Sequence, residues 1–170
     1  HVYTSPLSRC VRLATYCGYP DAEHDKRIME INFGDWEMHR FDEIADANLE
    51  RWYADYLHVK ATNGESFEDQ YRRVAGFLDE LRQKPYEQVA IFAHGGILLN
   101  AQIYAGIIKP DCQDKIIVMQ EHIAYLFVLF IKTNKYAYSF PRFISCCYKC
   151  DKPFDCHIRS VDRYYFFFEE

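Results

Sequence analysis

Three short segments of this chain carry residues whose types and spacing suit the handling of an anionic group. In Gln88–Leu99 the apolar run Val89–Ala93 ends in His94-Gly95-Gly96, and the chain then turns apolar again. Five apolar residues bounded in this way read as a strand buried on both faces of a parallel sheet. Leu99, Ile103 and Ile107 follow at helical spacing, so His94 is expected at the carboxyl end of a strand, just before a helix N-terminus. Ligands bind in that crevice in open α/β sheets, and the free N–H groups of a helix start favour anions, phosphate above all. Gly95 and Gly96 let a ligand approach the backbone closely. The alternative for His94 is a structural histidine satisfied within the core.

The second segment, His1–Ala14, opens as a short strand and breaks at Ser5-Pro6. It continues with Leu7, Val11 and Ala14 at helical spacing. Pro6 suits a first helical turn, where its missing N–H costs nothing. Arg9 then lies early in a helix, where a cation gains nothing from the helix dipole. Either an anion sits beside it, or it is a solvent-facing arginine paired with a carboxylate. In the third segment, Arg27–Glu37, Glu30 stands between Met29 and Ile31, ahead of a turn at Gly34-Asp35. A carboxyl group enclosed by apolar neighbours can serve as a general acid; the alternative is a buried carboxylate paired with an arginine.

Taken together, these segments resemble the histidine phosphatase superfamily, in the branch that includes phosphoglycerate mutases and many small phosphatases. The resemblance covers about residues 1–110. Ser5-Pro6-Leu7-Ser8-Arg9-Cys10 is similar to the family's phosphate-binding segment after the second strand, and Arg9 falls on its arginine. Glu30 falls on the proton donor, His94-Gly95-Gly96 on the second active-site histidine, and Gly64-Glu65-Ser66 on the segment at the pocket rim. Arg9-Cys10 together with Phe33-Gly34-Asp35-Trp36-Glu37 is most similar to the α-ribazole phosphatases of cobalamin synthesis. The resemblance implies a three-layer α/β/α sandwich with a mostly parallel sheet and a helical cap insertion. It also implies a phosphomonoester hydrolase that needs no metal and no other cofactor. Glu30 and His94 become the expected catalytic residues; Arg9, His94 and Gly95 bind phosphate; Ser5, Asn32, Glu65 and Ser66 line the rim.

The family begins with a strand ending in Arg-His, whose histidine is the nucleophile, and this chain contains no Arg-His pair. His1 precedes its strand, so it does not qualify. The first Met is Met29. These features suggest a fragment lacking the family's first strand, inactive as it stands, with no leader before the domain.

The elements that must position these residues follow from periodicity. Phe41, Ile44, Ala45, Leu49, Trp52, Tyr53, Tyr56 and Leu57 recur at three- and four-residue spacing, which predicts helices with one buried face. Ser66 with Asp69 makes an approximate capping box for a helix whose stripe is Phe67, Tyr71, Val74, Leu78 and Leu81. The cap is expected over about 40–83 of a truncated phosphatase domain, 1–134, its aromatic residues packed as core. Ile123–Ile131 is apolar and long enough for a buried strand, the last of the sheet, but far short of the roughly 20 residues that span a bilayer. Residues 135–170 form a divergent tail rich in aromatic residues and cysteine. Its Cys147, Cys150, Cys156 and His157 can furnish zinc ligands, but their spacing fits no common zinc finger. Phe166-Phe167-Phe168 needs a surface to pack on.

Composition narrows the function classes. With 170 residues, 49% hydrophobic and 26% charged, the chain suits one globular domain. A net charge of −5 argues against nucleic acid, whose sites present basic patches. Seven cysteines without a secretory segment point to reduced thiols and a cytoplasmic setting. The resemblance implies a small phosphorylated metabolite as partner, and no membrane partner is expected. His94-Gly95-Gly96 also resembles the oxyanion segment of esterases, but no Gly-x-Ser-x-Gly elbow is present. A non-catalytic phosphate binder is the other alternative.

Overall fold

The computed structural model describes residues 1–109, together with the backbone of 124–129 and 142–144. Five strands form one sheet in the order β2-β1-β3-β4-β5. They are β1 Val2–Thr4, β2 Glu23–His24, β3 Val89–His94, β4 Ala124–Leu129 and β5 Arg142–Ile144. The first three are parallel, with Val2 opposite Ala90 and Thr4 opposite both Phe92 and His24. The next two are antiparallel, from Val89 opposite Leu129 to His94 opposite Ala124. The expected parallel pairing of the strands that carry the site is therefore present. The apolar run after residue 122 supplies the penultimate strand instead of the last, and the last, β5, falls inside the segment read as a tail.

Among the described residues four helices accompany the sheet: α1 Ser8–Tyr16, α2 Asn48–Ala54, α3 Phe67–Leu81 and α4 Gly95–Tyr104. The two-residue period of β3 separates the faces it presents. Val89, Ile91 and Ala93 join Tyr3 and the stripe Val74, Phe77, Leu78 and Leu81 of α3, with Ile97 of α4, in one core. Phe92 faces the other way, onto Cys10, Leu13 and Ala14 of α1. Helix layers thus cover both faces of a mixed sheet, parallel over β2-β1-β3 and antiparallel over β3-β4-β5, in the three-layer arrangement expected.

The local details differ in instructive ways. The segment 40–57 does not form long helices: Phe41–Glu43 is a single 3₁₀ turn and α2 has seven residues. No side chain caps either N-terminus, and the periodic apolar residues are consumed in an aromatic cluster instead. Buried Trp36 and Trp52 pack there with Phe33, Phe41, Leu49 and Tyr56. Within 40–83 the residues up to Ala61 build this cluster, whereas α3 packs on the sheet. Helix α4 buries Ile97 and packs Leu98, Ala101 and Tyr104 against the core, while Ile107 lies exposed beyond its end. The helical spacing of Leu99 and Ile103 is present, and the helix ends at Tyr104, before Ile107. The Ser66–Asp69 capping box forms in both directions. No described helix is long and apolar enough to cross a membrane. Cys146, Cys147, Cys150, Cys156, His157 and the triple phenylalanine lie outside the described residues.

Candidate active site

Because β1 and β3 run parallel and adjacent, their carboxyl ends deliver Ser5 and His94 to the same edge of the sheet. Ser5 N–H still donates to Phe92 O at 2.8 Å, extending the ladder by one residue. His94 shares the face of Phe92 by the two-residue period, and that face is the one covered by α1. Arg9 and Cys10, in the first turns of α1, therefore meet it.

The contacts are direct. Arg9 Nε donates to His94 Nδ1 at 3.2 Å, and His94 Nε2 lies 2.8 Å from Ser5 Oγ. An acceptor Nδ1 requires the Nε2–H tautomer, so Nε2 donates to the serine hydroxyl. Ser5 Oγ also accepts from Leu7 N–H at 3.3 Å. His94 is fully buried, and burial, followed by the charges of Arg9 and Arg73, pushes its pKa down to about 3. It is a neutral imidazole at physiological pH, and the cation of the site is Arg9. Arg9 is half-buried and makes no ion pair with a carboxylate among the described residues, and its two terminal nitrogens have no hydrogen-bond partner there. Arg9 and His94 stand well inside the roughly 8 Å that one phosphate with hydrogen bonds of about 3 Å on either side can bridge.

Cys10 packs beneath the imidazole, its Sγ 3.5 Å from His94 Nε2 and donating to Ala93 O at 3.2 Å. Burial pushes its thiol up to about 12 despite Arg9 and Ser5, with Glu30 adding to the rise. It is a packing group and not a thiolate nucleophile.

Glu30 approaches from the loop after the 3₁₀ turn Lys26–Ile28, close enough for its charge to act on Cys10. Its Oε1 accepts from Ile31 N–H and Gln70 Nε2, both at 3.0 Å. Arg73 does not pair with this carboxylate; it grips the loop by its backbone, donating to Arg27 O, Met29 O and Glu30 O. The Glu30 carboxyl group therefore makes no ion pair with an arginine among the described residues.

The residues expected at the rim divide. Ser5 is fully buried at the centre, against His94. Asn32 is exposed, its Oδ1 accepting from Gly34 N–H. Glu65 receives Arg73 Nε and Nη2 and the N–H of Asn32. Ser66 is buried, its hydroxyl engaged in capping α3. Gly95 is the first residue of α4, where N–H groups face the crevice. Sequence reasoning missed Cys10, Gln70, Arg73 and Asn100. The usable signal was a polar Gln70 within the buried stripe of α3.

Comparison with known proteins follows this geometry. Residues 1–114 match the model of the histidine phosphatase superfamily (branch 1). The chain is similar to phosphoserine phosphatase 1 of Hydrogenobacter thermophilus, 27% identical over 116 residues, which are 65% of this chain and 54% of that protein. It is also similar to the adenosylcobalamin/alpha-ribazole phosphatase of Escherichia coli, 33% identical over 75 residues, 42% of this chain and 37% of that protein. The crystal structure of the alpha-ribazole phosphatase from Shigella flexneri shares the fold, with a TM-score of 0.59 at 24% identity, covering 85% of this chain and 71% of that one. The chain spans about half or less of the length of these curated relatives.

Proposed function

The chain belongs to branch 1 of the histidine phosphatase superfamily, and we propose that its site handles the phosphoryl group of a small phosphorylated metabolite by phosphomonoester hydrolysis. The observation that carries the reading is the cluster of Arg9, His94 and Ser5 at the carboxyl ends of two parallel strands. Arg9 supplies charge and paired donors to the equatorial oxygens, and neutral His94 turns a ring N–H onto one of them. A phosphate oxygen takes the place of the Ser5 hydroxyl as the acceptor of the His94 Nε2–H, while Arg9 turns its free Nη donors onto the same group.

The reaction consistent with this site proceeds in two displacements. A histidine nitrogen attacks phosphorus in line while the P–O bond to the leaving alcohol breaks, and Glu30 gives its proton to that oxygen. Water then attacks the phosphohistidine, Glu30 takes back a proton, and phosphate leaves. His1 does not serve as the nucleophile. Its amino group bonds to Gln88 O and its ring stacks on Tyr86, both at the amino end of the strands, opposite the site. No other histidine hydrogen-bonds Arg9, Ser5 or His94 among the described residues. The nucleophile is the histidine of an Arg-His strand, as the family resemblance implies, and the 170-residue chain is close to inactive until one is supplied.

Two substrate readings have support. Arg9-Cys10, with the Phe33–Glu37 segment and the E. coli relative, favours α-ribazole 5′-phosphate; the H. thermophilus relative favours phosphoserine. The test is turnover of both esters, with a labelled phosphoenzyme trap, by the chain with and without a grafted Arg-His strand. Turnover and covalent label only after grafting support the proposal. Turnover by the unmodified chain that disappears in His94→Ala would show a different nucleophile. Phosphate binding without turnover in either form would favour the non-catalytic binder.

A further inference from the structure

We propose that Gln70, braced by Asn100, is a positioning residue that holds the Glu30 carboxyl group by one oxygen and leaves the other, Oε2, as the oxygen that carries the transferable proton. This rests on the reading of Glu30 as the acid.

Gln70 and Asn100 are both fully buried, on α3 and α4 respectively, and they link the two helices to the Glu30 loop. Asn100 Nδ2 donates to Gly96 O and to Gln70 Oε1, each at 2.9 Å, and Gln70 Nε2 donates to Glu30 Oε1 at 3.0 Å. The direction of this chain of bonds is set at its far end. Gly96 O is a backbone carbonyl and only accepts, so the amide nitrogen of Asn100 must face it. The same nitrogen then faces Gln70, which must offer its oxygen. Gln70 is left with its NH₂ toward the carboxyl group.

Turning Asn100 over would set its oxygen against two acceptors, Gly96 O and Gln70 Oε1. The observed orientation instead leaves Asn100 Oδ1 buried with no partner among the described residues. The two acceptors that Asn100 Nδ2 faces, Gly96 O and Gln70 Oε1, set the relay in this sense. Glu30 Oε1 consequently receives two donors, Gln70 Nε2 and Ile31 N–H. An oxygen facing two N–H donors has no room for a proton of its own, and the acid form protonates on Oε2. Gln70 thus selects the oxygen, while Arg73 fixes the loop that carries it.

The test reads the Gln70 side-chain NH₂ signals of the ¹⁵N-labelled 170-residue chain through a pH titration, in the natural sequence and in Glu30→Gln. Glu30 is partly exposed, so the isosteric variant keeps the fold. The other ionisable groups near the loop include Glu65, held by Arg73, Asp25, paired with Arg27, Cys10, whose buried thiol is pushed up to about 12, and His94, which stays neutral over most of the range. The expected result is a pair of slowly exchanging signals that shift with pH in the natural chain and lose that shift in Glu30→Gln. In a second variant, Asn100→Leu, the signals are expected to broaden and exchange faster, because Gln70 is then free to turn. Fast exchange in the natural chain, or a pH shift that persists in Glu30→Gln, would overturn the proposal. The acid role of Glu30 is judged separately, by turnover of Glu30→Gln in the grafted protein, so each idea can fail without the other.

Discussion

Arg9 carries the positive charge of the site because His94, sealed between α1 and the strand ends, stays neutral. Arg9→Lys keeps the charge but not the planar set of donors, and Arg9→Ala removes both. Losing charge-assisted bonds of about 1.5–3 kcal/mol should weaken inorganic phosphate or vanadate binding by roughly 10- to 100-fold, as calorimetry would measure. The lysine variant should fall between the alanine variant and the natural chain. Unchanged affinity in Arg9→Ala would remove Arg9 from the site. The neutrality of His94 also couples stability to pH. Its pKa is near 6.5 when unfolded and about 3 when folded, so between these values the unfolded chain binds the extra proton. Stability is whole above about 6.5 and is lost as pH falls toward 3, with a slope of up to about 1.4 kcal/mol per pH unit. Urea unfolding at pH 7, 6 and 5 should show this decline, and His94→Gln, which cannot be protonated, should flatten it.

Two glycines decide whether the Glu30 loop can lie where it does. Gly34 has a φ of +56° and packs on the backbone of Thr62–Gly64. A methyl group added at Gly64 would fall 2.8 Å from Gly34 N and 2.9 Å from Phe33 C, both backbone atoms that cannot step aside. Gly64→Ala should therefore cost about 1–3 kcal/mol and loosen the Asn32–Glu65 connection, seen as a lower urea midpoint. A neutral outcome would mean that the two loops separate readily. Helix α3 is secured differently. Ser66 caps it and Asp69 returns the bond, with Lys60 beside Asp69 holding that carboxylate down at about 2. Ser66→Ala should cost about 1 kcal/mol of stability without changing the phosphate-binding groups. Loss of phosphate affinity in that variant would give Ser66 a place in the pocket.

The strand order makes the carboxyl-terminal residues part of the sheet, since β5 covers the outer edge of β4. Ending the chain after Lys135 removes β5 and leaves β4 as an unpaired edge, the kind of surface that recruits other strands. The shortened protein should melt several degrees lower or associate, as scanning calorimetry and sedimentation would report. A monomer with unchanged melting would show that the fold is complete without residues beyond 135.

Much of this was legible in the residues alone. An apolar run ending in His94-Gly95-Gly96 reads as a buried strand turning into a helix, and Ser66 and Asp69 announce their own cap, because both signals are local. Arg9, Glu30 and His94 stood out as candidates for the same reason: each sits in a short segment with its own chemistry. Partnership was not. That Ser5 belongs at the centre, that Cys10 lies under the imidazole and that Gln70 reaches Glu30 across 40 residues of chain are consequences of strand order and helix packing. The aromatic residues of 41–57 carried a helical period yet went into a cluster, since burial of Trp36 and Trp52 outweighs propensity in short uncapped segments. Periodicity marks which side of an element is apolar, but only the assembled sheet decides what that side meets, and here the meeting of β1, β3, α1 and α3 brings the candidate residues together.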